Sequence, residues 1–260
     1  VTVSAGTNSI DSNIQAAKFQ LEGMGISWNE IKSDIEYAVN NTAYSLDQAA
    51  IVASQLTASG LKPGQTYVNL SGVESDIDTM AMVLRSISGT AAGTGGNADY
   101  ADIGRIFMKM MSYGKVYASQ LNELGTYGIG AKAIVADYFS KVGYQGKTDW
   151  TEADISEITS DKDSVLAPML VIEAMYEKFG EHAVKANETL SGVMANTRSA
   201  LARIGENFFT PIIENGGPLV HAFEILRLSI NDLNSAIKPV ITLFGYNVAG
   251  VIDKFVGRVA

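Results

Sequence analysis

Cysteine is absent from this 260-residue chain, so neither a disulfide framework nor a thiolate metal site can be built from it. Histidine is nearly absent, with only His182 and His221, far apart on separate expected helices. Clustered lysine and arginine are missing as well. The 19 basic residues stand against 28 acidic ones, and a net charge of −9 argues against direct nucleic-acid binding, because neutralising phosphates takes grouped cations. No apolar run is long enough to cross a bilayer. The longest, Val240 to Ile252, is broken by Gly245, Asn247 and Gly250 and falls short of the roughly 20 residues required. The opening Val1-Thr2-Val3-Ser4-Ala5-Gly6 has neither the basic start nor the apolar segment of a secretory leader. A start at valine without an initiator methionine leads us to expect a piece of something longer.

Alternating strand patterns are equally scarce. Thr66 to Leu70 and Val1 to Ser4 are the only stretches that read as extended, and neither predicts a sheet. What the chain does have is helix. A 47% apolar and 18% charged composition is that of a globular protein, with length for one large or two ordinary domains. Helices are predicted near residues 10–24, 27–41, 45–59, 73–88, 99–113, 117–125, 130–142, 151–159, 164–186, 190–209, 218–237 and 240–257. Ser27-Trp28-Asn29-Glu30 and Ser45-Leu46-Asp47-Gln48 have the spacing of capping boxes, and Gly60 with Pro63-Gly64 marks a stop. The glycine-rich run 89–97 is predicted to be a flexible loop between two helical groups, and the best candidate for local disorder.

The expected fold class is all-α, in two parts. Residues 1–187 form a compact body of many helices, and residues 188–260 a long amphipathic segment, a hairpin or a jointed rod. Within the second part, Val193, Thr197, Ala200, Leu201, Ile204 and Phe208 step by three and four, and so do Leu219, Phe223, Leu226, Ile230, Leu233 and Ile237. Such helices gain most of their stability by burying the apolar face, so self-association is expected, with Ile204, Phe208, Phe223, Leu226, Ile230 and Leu233 at the helix–helix contacts.

Site chemistry is thin. Gly93-Thr94-Gly95-Gly96-Asn97-Ala98 and Gly128-Ile129-Gly130-Ala131-Lys132-Ala133 both fit G-x-G-x-x-A, but neither follows a credible strand, which dinucleotide binding requires. Gly146-Lys147-Thr148 could end a P-loop, except that Lys141 stands where its first glycine belongs. Glu181 beside His182, and Glu224 three residues after His221, supply no nucleophile and no third ligand. Asp161-Lys162-Asp163 stops short of a calcium loop; with Glu74, Asp76 and Asp78 these carboxylates are expected on exposed faces or in first helical turns, where the dipole favours them. Phe107-Met108-Lys109-Met110-Met111, Met169 and Met175 are expected to fill core. No catalytic residue, cofactor or metal is expected, and the chain is read as a non-enzyme.

The order of several pieces resembles the tape measure proteins of long-tailed bacteriophages and prophages. They are Ala16 to Gly25 (AKFQLEGMG after Ala16), Tyr44-Ser45-Leu46-Asp47-Gln48-Ala49-Ala50, Ala53 to Leu61, Ile103-Gly104-Arg105-Ile106, Tyr113-Gly114-Lys115-Val116 and Gln120-Leu121-Asn122-Glu123-Leu124. Ala186 to Asn196 follows, matching a T-x-x-G-x-x-x-N pattern, and then Ile204-Gly205 and Pro211. The match covers about residues 10–240. It departs where the family typically has a Gly-Ile-Pro turn, since this chain has Gly128-Ile129-Gly130. The resemblance implies a segment of a much longer helical chain that fills the lumen of the tail tube, sets its length during assembly and leaves ahead of DNA at infection. It implies as partners tail tube and tail tip or baseplate proteins and assembly chaperones, beside the further copies of the chain expected from the amphipathic helices. It implies a place in the virion, after assembly in the host cytoplasm, with membrane contact at ejection. Two other classes stay open at this point: a helical cell-wall hydrolase, and a membrane-perturbing protein acting through Val240 to Val259.

Overall fold

The structure is a computed structural model that describes residues 3–40, 42, 44–160, 164–182 and 184, with side chains from residue 12 onwards. The expected segment 188–260, with all six of its proposed contact residues, lies outside the described residues.

Among the described residues the fold is all-α with one small hairpin. In chain order the elements are α1 (Val3–Gly23), α2 (Trp28–Val39), α3 (Leu46–Ala58), β1 (Thr66–Val68), β2 (Glu74–Asp78), α4 (Thr79–Gly93), α5 (Tyr100–Tyr113), α6 (Ala118–Thr126), α7 (Ala131–Val142), α8 (Glu152–Ile158) and α9 (Pro168–Phe179), with a single 3₁₀ turn at Tyr144–Gly146. Most helix starts, though not those of α1, α4 and α9, follow the sequence closely because they are fixed by local chemistry. The Glu30 carboxylate accepts from the Ser27 backbone N–H at 3.0 Å, and Gln48 Oε1 accepts from that of Ser45 at 3.4 Å. Asp99 with Asp102 and Thr151 with Asp154 repeat the exchange at α5 and α8.

Three expectations need correction. The helix expected over 73–88 begins only at Thr79, because Glu74–Asp78 pairs antiparallel with Thr66–Val68. Asn69 makes the reversal: its carbonyl accepts from Gly72 N–H at 2.8 Å, its side-chain oxygen accepts from Val73 N–H at 2.9 Å, and Gly72 takes φ 77°. Glu74 and Asp76 are therefore exposed strand residues rather than first-turn acids, and only Asp78 sits at a helix start, as the N-cap of α4. Second, residues 89–93 of the expected glycine-rich loop are the last turn of α4, and only 94–97 form a turn, tied by the Thr94 hydroxyl between Ala91 O at 2.7 Å and Ala98 N at 3.1 Å. Third, Val3 and Ser4 are helical, not extended, and α9 starts at Pro168 rather than 164, with proline in the first turn where its missing N–H costs nothing.

Helix α4 is the axis of the body. It is buried from Met80 to Ala91 and packs against α9, α2 and α5, while α1 lies on α3 and α7 lies on α9 and α8. Two of its glycines explain the closeness of α9. A Cβ on Gly89 would run into the Phe179 carbonyl oxygen, and one on Gly93 would come within 2.7 Å of the Phe179 ring. Gly104 of α5 gives Val52 of α3 the same room, at 3.0 Å. Tyr100, Phe107, Phe139, Leu56, Met80 and Ile87 are fully buried in one continuous core, each worth about 1.5–3 kcal/mol. That burial stabilises helices too short to persist alone, such as the seven-residue α8, anchored by Ile155. Phe107, Met110 and Met175 are in the core and Met108, Met111 and Met169 against it, as methionine at helical spacing predicts.

Candidate functional site

The chemistry-bearing pieces singled out in the sequence do not converge. Glu181 and His182 are both exposed at the end of α9, with the imidazole edge-on to the Phe179 ring at 5.4 Å. His221 lies outside the described residues, as do Asp161 and Asp163. Gly93 follows helix, not strand, and Gly130 caps α7 after the turn that ends α6, so neither glycine pair has the strand-to-helix geometry of a dinucleotide site. Lys147 of the partial P-loop pairs with Asp154 at 2.7 Å and lies 5.1 Å from the centre of the Trp150 ring. Asp154 is held down at about 2 by Lys147 and by the Thr151 donors. Among the described residues no group of three or more His, Asp or Glu side chains could hold a metal ion.

The charges that matter are buried ones that sequence patterns passed over. Arg85 is the only charged residue of α4, an otherwise uncharged helix, and it is 7% exposed. Its Nε donates to Gly180 O at 3.1 Å, and its Nη1 to Asn40 O at 3.2 Å, Ala38 O at 3.3 Å and Tyr37 O at 3.5 Å. Its guanidinium also stands 5.7 Å from the centre of the Tyr37 ring. These acceptors are last-turn carbonyls of α2 and the C-cap carbonyl of α9, groups a helix cannot satisfy internally and whose dipoles favour a cation.

Glu173 is the matching anion, 4% exposed in the middle of α9. It accepts from Leu70 N–H at 2.8 Å and from the Tyr138 hydroxyl, so it joins the hairpin and α7 to α9. Burial, and then that carboxylate, push the Tyr138 and Tyr67 phenols well above their ordinary range, so both stay protonated as donors. Asp34 of α2 lacks such donors among the described residues. Its Oδ2 is buried without a hydrogen bond, and desolvation, with Asp78 adding repulsion, raises it to about 6. Asp47 accepts from Asn13 Nδ2 at 3.0 Å and ties α3 to α1. The one signal that could have found Arg85 in the sequence is a lone charge on an apolar helix; Glu173 shares α9 with Glu177 and Lys178, and only its place in the apolar run from Met169 to Met175 sets it apart.

Chemically, this arrangement holds helices. Glu173 and Tyr138 are buried together among the described residues. A pocket of about 210 Å³ at the end of α9, lined by Tyr176, Glu177, Lys178, Gly180, Glu181 and His182, mixes both signs of charge and contains neither of them. No described helix is long and apolar enough to cross a membrane. Compared with protein-family models, with curated proteins and with solved structures, the chain matches none.

Proposed function

We propose that the chain is a structural segment of a phage tail tape measure protein, an assembly or ejection module joined to the length-setting part and released during genome ejection. The ordered sequence pieces from Ala16 to Pro211 support the family. The folding-back of the helices supports the role: α4 and α9, far apart in the chain, pack side by side. A helix advances 1.5 Å per residue, so about 180 residues laid end to end would span roughly 270 Å. The same residues packed as a body have a radius of gyration of about 16 Å. Folded this way they add little to the length of a tube, and the extended ruling falls to sequence elsewhere in the parent protein. The protein is read as a non-enzyme whose partners are tail tube, tip or baseplate proteins, assembly chaperones and further copies of itself, the last through Ile204, Phe208, Phe223, Leu226, Ile230 and Leu233.

The deciding experiment is an in-frame deletion of residues 10–187 in the phage or prophage that carries the gene. Loss of assembly or of infectivity, seen by plaque counts and electron microscopy of tails, is the expected outcome. Infectious particles with tails shortened in proportion would make the segment part of the ruler, and clearing of peptidoglycan by the purified protein in a zymogram would overturn the non-enzyme reading.

A further inference from the structure

Two helix ends that are far apart in sequence meet at the Arg85 guanidinium, and among the described residues none of its hydrogen-bond acceptors is a carboxylate. The cation is balanced instead by the dipoles of those ends. The same stretch of α4 holds both by other means. Ser88 Oγ donates to Ala38 O at 3.0 Å on the α2 side, and Gly89 lets the Phe179 carbonyl approach on the α9 side. Phe179 and Gly180 are also where the chain reaches the end of its last described helix.

We infer that Arg85 couples the two ends into one unit, so that the last turn of α9 and the last turn of α2 open and close together. The physical reason is the cost of a half-solvated buried cation. When Gly180 O leaves, Nε loses its acceptor in a site that is nine-tenths buried, and the guanidinium must turn towards water to recover one. Turning takes Nη1 away from Ala38 and Asn40. Coupling of this kind is reciprocal, so whatever engages the chain beyond residue 182 is felt at the end of α2, and the converse holds. These contacts carry the coupling whether or not the chain belongs to a tape measure protein.

Hydrogen exchange on the full chain tests it, read in peptides that include Asn40 and Thr42 and in peptides spanning 176–182. The informative variant is Gly89→Ala, whose added methyl has as its nearest neighbours the Phe179 carbonyl and the Gly180 nitrogen, both at the α9 end. The expected result is exchange about tenfold to a hundredfold faster at both ends, the scale of losing a hydrogen bond to a charged group, over and above the smaller, uniform rise that lower global stability brings to α5 to α7. Arg85→Lys should do the same, because a single ammonium cannot span both sets of carbonyls. Lys141→Met removes only the exposed 3.1 Å pair with Glu177 on α9, and should leave the end of α2 unchanged. Faster exchange at 176–182 alone in Gly89→Ala would overturn the coupling, as would an equal rise everywhere or a response of α2 to Lys141→Met.

Discussion

A buried charge in this protein is tolerated only to the extent that neighbouring backbone or side chains replace its water. Arg85 finds carbonyls and Glu173 finds donors, whereas Asp34 leaves an oxygen unpartnered and titrates near 6. The sign of the consequence follows from the direction in which burial moves the carboxyl. Asp34 is raised above its unfolded value of 3.8, so the folded state is favoured by protonation, and its contribution is fully present below that value and lost as pH rises through about 6. A tenfold change in proton affinity is worth about 1.4 kcal/mol, so roughly 2–3 kcal/mol disappears over that window. Urea unfolding of Asp34→Asn and wild type at intervals from pH 3.5 to 7.5 should show a stability difference that changes in the variant's favour between pH 4 and pH 7. Parallel curves would mean that Asp34 does not titrate in this range. Asp154, held near 2, slopes the opposite way and is common to both proteins, so it cancels from the comparison.

At the scale of elements, the glycines of the helices divide by what surrounds them. Glycine inside a helix is about 0.5–1 kcal/mol worse than alanine, so an alanine should stabilise wherever there is room. Gly125 in α6 has nothing among the described residues within 4 Å of an added Cβ, while Gly89 meets the Phe179 backbone, which cannot swing aside as a side-chain tip can. Gly125→Ala is therefore expected to raise the melting temperature by a few degrees. Gly89→Ala should lower it despite the same gain in helix propensity, because displacing α9 from α4 opens a core contact worth about 2 kcal/mol or more. Calorimetry of the two variants checks both signs; equal shifts would mean that α9 does not sit on Gly89. The hairpin follows the same logic of context. Glu74 to Asp78 is short and acidic, and it pairs as a strand because Ile77 packs against the core and Leu70 N–H reaches Glu173.

At the scale of the whole molecule, one core among the described residues runs from Ile14 of α1 to Phe179 of α9, without a break between early and late helices. Shared burial predicts that the body unfolds cooperatively, as one unit. Trp28 at the start of α2 and Trp150 just before α8, the only two tryptophans, sit at separate parts of that core and give a direct check. In a polypeptide ending at residue 187, tryptophan fluorescence and far-ultraviolet circular dichroism should report coincident denaturant transitions. Separated midpoints would show that α1 to α3 and α7 to α9 unfold independently. The same continuity explains why cutting through the body, rather than after it, is expected to abolish whatever it does.

The sequence by itself determined the helical class, most helix starts and the methionine-filled core, because caps and three- and four-residue spacing act over one or two turns and need no distant partner. It could not place the start of α4 or the hairpin before it, since Glu74 to Asp78 takes its conformation from Thr66 to Val68 across a turn. Gly89 and Gly93 look like a linker in the chain and are a packing seam in the fold, because only the approach of Phe179 gives their missing Cβ a meaning. Arg85 and Glu173 were out of reach for the same reason. A charge in an apolar helix says that something must balance it, and only the tertiary structure brings the ends of α2 and α9 to Arg85 and the Leu70 amide and Tyr138 hydroxyl to Glu173.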